Sequence, residues 1–220
     1  MTTYQPVGYS LTNQSVGMDM NEIIHPSRQK FIDAVIALVR EQGYAGTSVD
    51  DICARAGMKK GSFFHHFRSK EDVLLASIDH WNSFTGDAFR SAPYRRLADP
   101  RDRVLGYVDF RIALLDRPIA EFACLLGTLV QEVYASHPAL LTAADAGMSD
   151  HIDEIVADIA AAKALYAPDA EWTPDSVGYF IQAALQGSFI YAKAKQGPDV
   201  VRSNLAHLKR YLETIFPKSN

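Results

Sequence analysis

The sequence predicts an all-α protein with about nine helices, three of them in a small amino-terminal unit and the others in a larger unit that follows. Apolar residues recur at helical spacing along most of the chain, and the alternating apolar and polar runs that are typical of strands are scarce. Prolines stand where junctions between helices are expected, at Pro93, Pro100, Pro118, Pro138, Pro168, Pro174 and Pro198. The 220 residues can bury a core much larger than three short helices need.

The composition excludes several classes of protein. No stretch reaches the roughly 18 consecutive apolar residues of a membrane-spanning helix. The two cysteines, Cys53 and Cys124, fit neither a disulfide framework nor a spaced metal site, so we expect a cytoplasmic protein with no metal and no cofactor. Because the formal net charge is −4, any binding to nucleic acid has to come from a local basic surface.

Residues 1–24 lack helical periodicity and are expected to form a flexible arm. They have neither the basic start nor the long apolar stretch of a secretory signal. Met18 and Met20 lie just before the expected first helix, so the translation start is left open between Met1, Met18 and Met20.

The first helix is expected to begin after Pro26, a residue that suits the first turn because it has no amide hydrogen to satisfy. Its inner face is formed by residues at helical spacing: Phe31, Ala34, Val35 and Leu38. Gly43 is expected to end it.

The second helix is expected to start near Val49, because Ser48 and Asp51 have the spacing of a capping box. Its inner residues are Ile52, Cys53 and Ala56. Gly57 then stands where a left-handed residue ends a helix, a conformation that glycine adopts without steric cost.

The third helix opens at Lys59 or Lys60 and carries Phe63 and Phe67 four residues apart, so that both rings can dock on the first two helices. The remaining small, aromatic and imidazole side chains are left for the outer face: Ser62, Phe64, His65 and His66.

The basic residues Lys59, Lys60, Arg68 and Lys70 surround this outer face, and no carboxylate interrupts them in the sequence. Three helices in this order, with this turn chemistry, are typical of a helix-turn-helix that binds double-stranded DNA. An ordinary helical hairpin with a solvated basic face is the alternative.

At these residues the chain resembles the TetR/AcrR family of bacterial transcription regulators. The resemblance covers three consecutive motifs: Gly43-Tyr44-Ala45-Gly46-Thr47-Ser48, Asp51-Ile52-Cys53-Ala54-Arg55-Ala56-Gly57, and Lys60-Gly61-Ser62-Phe63-Phe64-His65-His66-Phe67-Arg68-Ser69-Lys70-Glu71. It implies a DNA-binding domain at 25–72 and a helical ligand-binding and dimerisation domain at 73–220.

The resemblance also implies roles for single positions. Ser48 and Lys70 would hold phosphates, and the recognition helix would span Lys60 to Phe67. Together with Lys59, the positions expected to meet DNA are Ser48, Lys60, Gly61, Ser62, Phe64, His65, His66 and Lys70. Phe64 replaces a common tyrosine and Lys59 a common serine cap, so we expect anchoring that is more electrostatic and less dependent on hydrogen bonds.

The larger unit is predicted to contain helices at 70–90, 100–116, 118–136, 139–164, 174–196 and 198–215, with a loop from Tyr166 to Thr173. The last two helices carry broad apolar faces that could pack within one chain or form a two-fold four-helix interface. The resemblance implies the second, a homodimer that reads a palindromic operator. The expected interface residues are Val177, Ile181, Ala184, Leu185, Ser188, Leu205, Leu208 and Leu212.

The resemblance further implies that the middle helices enclose a pocket for a small effector, and the aromatic and aliphatic residues there favour a hydrophobic one. The candidate lining residues are Trp81, Phe84, Tyr107, Phe110, Phe122, Cys124, Leu125, Leu129 and Phe180, most of which could equally be core. The chain is therefore expected to be a regulator, most simply a repressor that an effector releases from DNA, and not an enzyme, since no catalytic motif is present.

Cys124 raises an alternative, a dimeric small-molecule or redox and electrophile sensor in which DNA binding is secondary or ligand-dependent. Its sequence neighbours are apolar apart from Arg117, which favours a buried, inert thiol over a reactive one.

Overall fold

The computed structural model describes residues 25–218, which form ten α-helices and two short 3-10 helices with no strand among them. The helices are α1 (Pro26–Gln42), α2 (Val49–Ala56), α3 (Lys60–His66), α4 (Lys70–Arg90), α5 (Pro100–Ala113), α6 (Ile119–Phe122), α7 (Leu125–Val133), α8 (Pro138–Tyr166), α9 (Pro174–Lys195) and α10 (Asp199–Ile215). The all-α prediction is confirmed. The expected arm at 1–24, with its possible starts, lies outside the described residues.

The first three helices begin and end where their capping residues predict. The Ser48 amide donates to Asp51 Oδ2 at 2.8 Å, and the Asp51 amide donates to Ser48 Oγ at 3.1 Å, which completes the capping box. Gly57 is left-handed at φ 66° and ends α2. Gly43 ends α1 at φ 83° and ψ 169°, a conformation that is essentially restricted to glycine.

We refer to α1, α2, α3 and the first turns of α4 as the head. Its core is aromatic: the rings of Phe31 and Phe63 pack edge to face with their centroids 5.4 Å apart, and both side chains are fully buried. This core does not stop at the head. It continues without a break into residues of α7 and α8, namely Leu125, Leu126, Leu129, Val133, Leu140 and Ala144. The head is therefore packed onto the rest of the molecule through shared apolar contacts.

The helix predicted at 118–136 is two helices, α6 and α7, so the described residues contain ten α-helices where nine were expected. Ala123 and Cys124 have extended backbones between α6 and α7. The Ala123 carbonyl accepts a hydrogen bond from Arg40 Nε of α1 at 3.1 Å. The break leaves this carbonyl without an intrahelical donor, and Arg40 satisfies it. The helix predicted at 100–116 likewise ends at Ala113 and finishes as a 3-10 turn, Leu114–Asp116.

The last two helices form a hairpin that packs on α8 and α5. The loop predicted from Tyr166 to Thr173 is present, and the second core lies beneath the hairpin. The residues expected at a dimer interface are mostly part of this core: Val177, Ile181, Leu185, Ser188, Leu205, Leu208 and Leu212 are buried within the subunit, and Ala184 is half-buried. The prediction chose the wrong face, because a face packed inside one chain and a face packed against a second copy have the same apolar periodicity.

None of the helices in the described part of the chain is long and apolar enough to cross a membrane.

Candidate nucleic-acid interface and interior cavity

The outer face of α3 is open to solvent. Lys59, Lys60 and His65 are exposed, and 57% of the Phe64 side chain is accessible although it is a large apolar residue. A Cβ added at Gly61 would meet no described atom within 4 Å, so a second molecule can approach the backbone of this turn closely. An exposed aromatic side chain among lysines, on a short helix, has the shape and charge to enter a groove of nucleic acid.

Lys60 has a partner that its neighbours in the sequence do not reveal. Its ammonium lies 2.8 Å from Asp50 Oδ1 of α2, and this ion pair raises the pKa of Lys60 through the hydrogen bond and the charge of the carboxylate. The fold therefore brings a carboxylate to the basic residues, although none interrupts them in the sequence. Both side chains remain exposed, so a phosphate can compete with Asp50 for the lysine.

Ser48 and Lys70 are both engaged within the head. Ser48 Oγ donates to Asp51 Oδ2 at 2.6 Å. Lys70 Nζ donates to the carbonyls of Tyr44 and Thr47 at 2.9 and 3.0 Å, and it lies 3.9 Å from the centre of the Tyr44 ring. Burial lowers the pKa of Lys70. Lys70 thus ties the start of α4 to the loop between α1 and α2.

His66 packs back onto α1. Its Nε2 lies 2.9 Å from Ser27 Oγ, and its ring lies beside those of His25 and Phe31. Its pKa is lowered, first by desolvation and then by the charges of its neighbours His65, His25 and Arg28. The prediction that His66 belongs to the outer face is therefore wrong, whereas Ser62, Phe64 and His65 remain there.

A cavity of about 490 Å³ lies between the head and the rest of the molecule. Its walls come from α1, α4, α5, the break between α6 and α7, α8 and α9. The apolar part includes Ile36, Trp81, Phe84, Phe89, Phe110, Leu114, Phe122, Met148 and Ile152. This volume is within the range of sites that enclose small organic molecules.

Of the residues expected to line a pocket, Trp81, Phe84, Phe110, Phe122 and Cys124 border this cavity. The others do not. Leu125 and Leu129 are fully buried in the core shared with the head, and Tyr107 lies buried behind the cavity wall. Phe180 faces outward with 48% of its side chain exposed and packs on Tyr211. Apolar periodicity identifies buried helix faces but does not distinguish a filled core from a cavity.

A polar cluster closes one side of the cavity. The hydroxyl of Tyr107 accepts from Arg111 Nε at 3.0 Å and from Gln182 Nε2 at 2.8 Å, and it lies 3.0 Å from His151 Nε2. Arg111 Nη2 also lies 3.0 Å from that ring nitrogen. Because a guanidinium can only donate, His151 Nε2 is an acceptor and the proton is on Nδ1. Burial, followed by the charges of Arg111 and Arg95, lowers the pKa of His151 to about 3, so the ring is neutral.

Arg40 borders the cavity from the head. Its guanidinium lies over the Trp81 ring at 4.6 Å, Nε donates to Ala123, and Nη2 is buried with no hydrogen-bond partner in the described part of the chain. Burial lowers the pKa of Arg40 to about 10, and nearby Cys124 and Glu121 oppose this shift. Arg40 therefore joins three features: the head, the helix break and the cavity.

Cys124 is not the buried, isolated thiol that its sequence neighbours suggest. It is half-buried, borders the cavity and caps α7, where its Sγ accepts from the Gly127 amide at 3.4 Å. Arg40 and Lys193 are close enough to interact with it electrostatically. Lys193 itself is partly buried, which lowers its pKa, and it donates to Thr128 Oγ1 at 2.9 Å.

A second link joins the head to α7. The carboxylate of Glu132 accepts from the amides of Tyr44 and Ala45 at 3.0 and 2.8 Å. These amides belong to the loop that leads into α2 and its cap, Ser48. Helix α7 thus contacts the cavity through Cys124 at its first turn and holds a loop of the head through Glu132 at its last.

Sequence reasoning missed Arg40, Arg111, His151 and Glu132 as residues of these sites. A usable signal exists for Arg111, because it follows Tyr107 by four residues on a helix whose same face is otherwise apolar. No comparable signal exists for the others, since their partners lie far away in sequence. No group of residues in 25–218 is arranged to hold a metal ion.

Residues 31–77, which include the whole helix-turn-helix, match the family model of the bacterial regulatory proteins, tetR family. The chain belongs to the TetR/AcrR family of transcription regulators. Like other TetR-family proteins it is a DNA-binding transcriptional regulator, and its relatives are regulators and not enzymes.

Individual relatives are similar over different parts of this TetR-family chain. The transcriptional regulator AcuR of Cereibacter sphaeroides is 27% identical over 86% of each chain. The biofilm operon icaADBC negative transcriptional regulator IcaR of Staphylococcus epidermidis is 38% identical over 53 residues, 24% of this chain and 29% of that one. The crystal structure of regulatory protein TetR from Rhodobacter sphaeroides superposes with a TM-score of 0.75 at 24% identity, over 84% of this chain and 97% of that one. The last comparison supports the fold of both units.

Proposed function

We propose that this TetR-family regulator is a homodimeric repressor that binds a palindromic operator through its two heads and is released by a small molecule in the interior cavity. In this proposal residues 25–72 bind DNA, and 73–220 form the ligand-binding and dimerisation part. The contacts with DNA come from Lys59, Lys60, Gly61, Ser62, Phe64 and His65. Ser48 and Lys70 reach a phosphate only by giving up present hydrogen bonds. The protein would act in the cytoplasm, where the operator is.

The observation that carries the proposal is the position of the cavity against the head. Helix α1 contributes Ile36, Ala37 and Arg40 to its wall, so a bound molecule contacts the DNA-binding unit directly. A ligand changes an equilibrium only by binding its two states unequally. A molecule that fits one placement of α1 better than another meets that condition, and it would change the separation of two heads in a dimer.

An exposed apolar face of α9, on the side opposite the core, supports a second subunit at this position. Its apolar residues follow helical spacing along one face: Tyr179, Phe180, Ala183, Gly187, Ile190, Tyr191 and Ala194. Half of the Ile190 side chain and 57% of Tyr191 are exposed, which is unfavourable for a monomer. A Cβ at Gly187 would meet no described atom within 4 Å, so a second helix can come close there. We therefore move the proposed interface to this stripe.

The operator is the first part to test. Binding of the purified chain to the DNA that flanks its own gene is measured by fluorescence anisotropy at near-physiological salt, with excess unrelated DNA as competitor. We expect specific binding that Lys60→Ala weakens at least tenfold. Lys195→Ala removes an equal charge from the far end of α9 and should leave the affinity unchanged. Equal loss in both variants would show that only overall charge matters and would contradict the proposal.

Release by ligand has a thermodynamic signature. If a molecule in the cavity weakens operator binding by some factor, the operator must weaken binding of that molecule by the same factor. Titration of a ligand into the free protein and into its operator complex measures both affinities. Identical ligand affinities in the two titrations would remove ligand-controlled release.

The position of Cys124 favours a second candidate, a sensor of electrophiles or oxidants. The thiol borders the cavity at the amino terminus of α7, with the cations Arg40 and Lys193 nearby, so a reactive molecule in the cavity would meet it. Alkylation with iodoacetamide followed by mass spectrometry, compared with Cys53, measures its reactivity. We expect modified wild type to lose operator binding and Cys124→Ser to retain it under the same treatment. Equal loss in Cys124→Ser would remove the sensor.

A further inference from the structure

We infer that the ligand of the cavity is an organic carboxylate, a small molecule whose carboxylate is bound by Arg111 and whose apolar body lies among the aromatic residues. This inference deepens the proposed function, on which it rests, by giving the chemical class of the effector. It starts from the hydrogen-bond roles within the cluster of Tyr107, Arg111, His151 and Gln182.

The cluster has a fixed direction of donation. Arg111 and Gln182 donate to the Tyr107 hydroxyl, and the single hydrogen of that hydroxyl is left for His151 Nε2. The same nitrogen also accepts from Arg111 Nη2. The remaining hydrogens of Arg111 and the Nδ1–H of His151 have no acceptor among the described residues. Both side chains border the cavity, so a ligand there can accept hydrogen bonds from them.

The charge of Arg111 is not compensated. No carboxylate in residues 25–218 lies within 4.0 Å of its guanidinium, and its other neighbours are the rings of Phe89 and Tyr107 and the neutral His151. Arg95 on the same side of the molecule differs, because Asp158 pairs with it at 2.9 Å. An anion that enters beside Arg111 would therefore meet a cation that no carboxylate of the described residues already pairs with.

The acidic residues of the cavity wall, Asp33 and Glu121, act on other groups and not on Arg111. Asp33 accepts from Gln29 on α1, and Glu121 acts on Arg40. The charged groups that influence His151 are two cations, Arg111 and Arg95. A carboxylate has the planar pair of acceptors that a guanidinium binds best, and an adjacent neutral imidazole can supply a third donor.

The rest of the ligand has to be apolar. Phe89 lies against both Arg111 and His151, with ring distances of 4.3 Å to the guanidinium and 4.6 Å to the imidazole. Phe110 and Phe84 continue the wall from there. A ligand that extends from Arg111 therefore passes directly onto aromatic faces, which suits a ring or a short alkyl chain and not a polyol or a nucleotide.

The test compares acids with their neutral amides on the full chain, without DNA. The probes are hexanoate, octanoate, benzoate, phenylacetate and cinnamate, each beside its own amide, in thermal denaturation followed by calorimetric titration of any that bind. We expect at least one acid to raise the Tm by about 3 °C or more at saturating concentration. Its amide, equal in shape but uncharged, should have no effect.

Three variants locate the charge. Arg111→Gln should weaken the bound acid at least tenfold, and Arg111→Lys, which keeps the charge but not the two parallel donors, should weaken it less. Arg96→Gln removes an exposed arginine that does not line the cavity and should change nothing. Stabilisation by none of the acids, equal stabilisation by acid and amide, or unchanged affinity in Arg111→Gln would each overturn the inference. The comparison of acid and amide uses the wild type, so it stands even if a variant misfolds.

The outcome is separate from that of the proposed function. Lys60→Ala should bind the acid as the wild type does, because Lys60 lies on the outer face of the head. A chain that binds acids but no specific DNA would remove the proposed function and keep this site. Specific DNA binding without acid binding would keep the proposed function and remove this site.

Discussion

Lys60 shares its charge with Asp50, and this pairing sets how strongly the head attracts phosphates. An exposed ion pair is weak and is screened by salt, so its loss should change DNA binding more than stability. We predict that Asp50→Asn tightens binding to a nonspecific duplex several-fold at low salt. Asp79→Asn, an equal change of charge on the exposed face of α4, should do so much less. Equal effects of the two variants in anisotropy titrations would show that Asp50 does not restrain Lys60.

Gly43 has a backbone conformation that other residues rarely adopt, and a Cβ there would also collide with the carboxylate of Glu132. We predict that Gly43→Ala lowers the free energy of unfolding by about 1–3 kcal/mol from the backbone alone. Gly61→Ala is the matched control, because Gly61 is helical and its Cβ would be in open space. Urea denaturation measures both, and equal stability of the two variants would contradict the strain at Gly43.

His151 should make stability depend on pH in one direction. Its pKa falls from 6.5 to about 3 on folding, so between these values the unfolded chain binds the proton and the folded chain does not. Stability from this group is therefore complete above pH 6.5 and is lost as the pH falls toward 3, by up to about 1.4 kcal/mol per pH unit. Between pH 6 and pH 5, the free energy of unfolding of the wild type should fall more steeply than that of His151→Gln. Parallel pH profiles would mean that His151 is protonated in the folded chain.

At the scale of elements, α7 contacts both the cavity and the head. Its last turn holds the Tyr44 and Ala45 amides through Glu132, and its first turn borders the cavity through Cys124. We predict that Glu132→Ala speeds hydrogen exchange of the 43–47 loop, because two amides lose their acceptor. Gln131→Ala on the same helix should leave that loop unchanged, since its side chain bonds within α7. Unaltered exchange in Glu132→Ala would show that the loop is held by Lys70 and packing alone.

Local signals in the sequence are sufficient to predict the head. Ser48, Asp51 and Gly57 act within a few residues of themselves, so the limits of α2 follow from chemistry that is adjacent in the chain. The break between α6 and α7 could not be predicted in this way. The Ala123 carbonyl at this break accepts a hydrogen bond from Arg40 of another helix, and apolar periodicity gives no sign of that contact.

The same distinction, between local signals and contacts with distant residues, applies to the candidate sites. Exposed residues of α3 could be predicted because Phe63 and Phe67 fix which face is buried. The cavity could not, because Phe122 beside it and Leu125 in the core have the same helical apolar pattern and differ only in what lies opposite. The inward packing of His66 and the ion pair of Lys60 could not be predicted for a related reason: their partners, Ser27 and Asp50, come from α1 and α2.

At the scale of the whole molecule, the exposed apolar stripe of α9 is the surface that the proposed homodimer would cover. We predict that Ala183→Arg, a charge placed in the middle of that stripe, converts a dimer into monomers in sedimentation velocity. Ala146→Arg, on an exposed face of α8, should remain dimeric. The monomeric variant should also lose most of its operator affinity, because a single head contacts only half of a palindrome. A dimer that survives Ala183→Arg would place the interface elsewhere.

The shared core of the head has a consequence for how such regulators can be recombined. Leu125, Leu129 and Leu140 complete the packing around Phe31 and Phe63, although they follow the head by many residues in the chain. A graft that exchanges residues 25–72 alone would leave these leucines facing a foreign surface. A working chimaera would need α7 and the start of α8 from the same donor, as two separate segments. If the cavity binds an effector as proposed, DNA specificity and ligand specificity would be harder to shuffle independently than the order of the chain suggests, and the two would be inherited together.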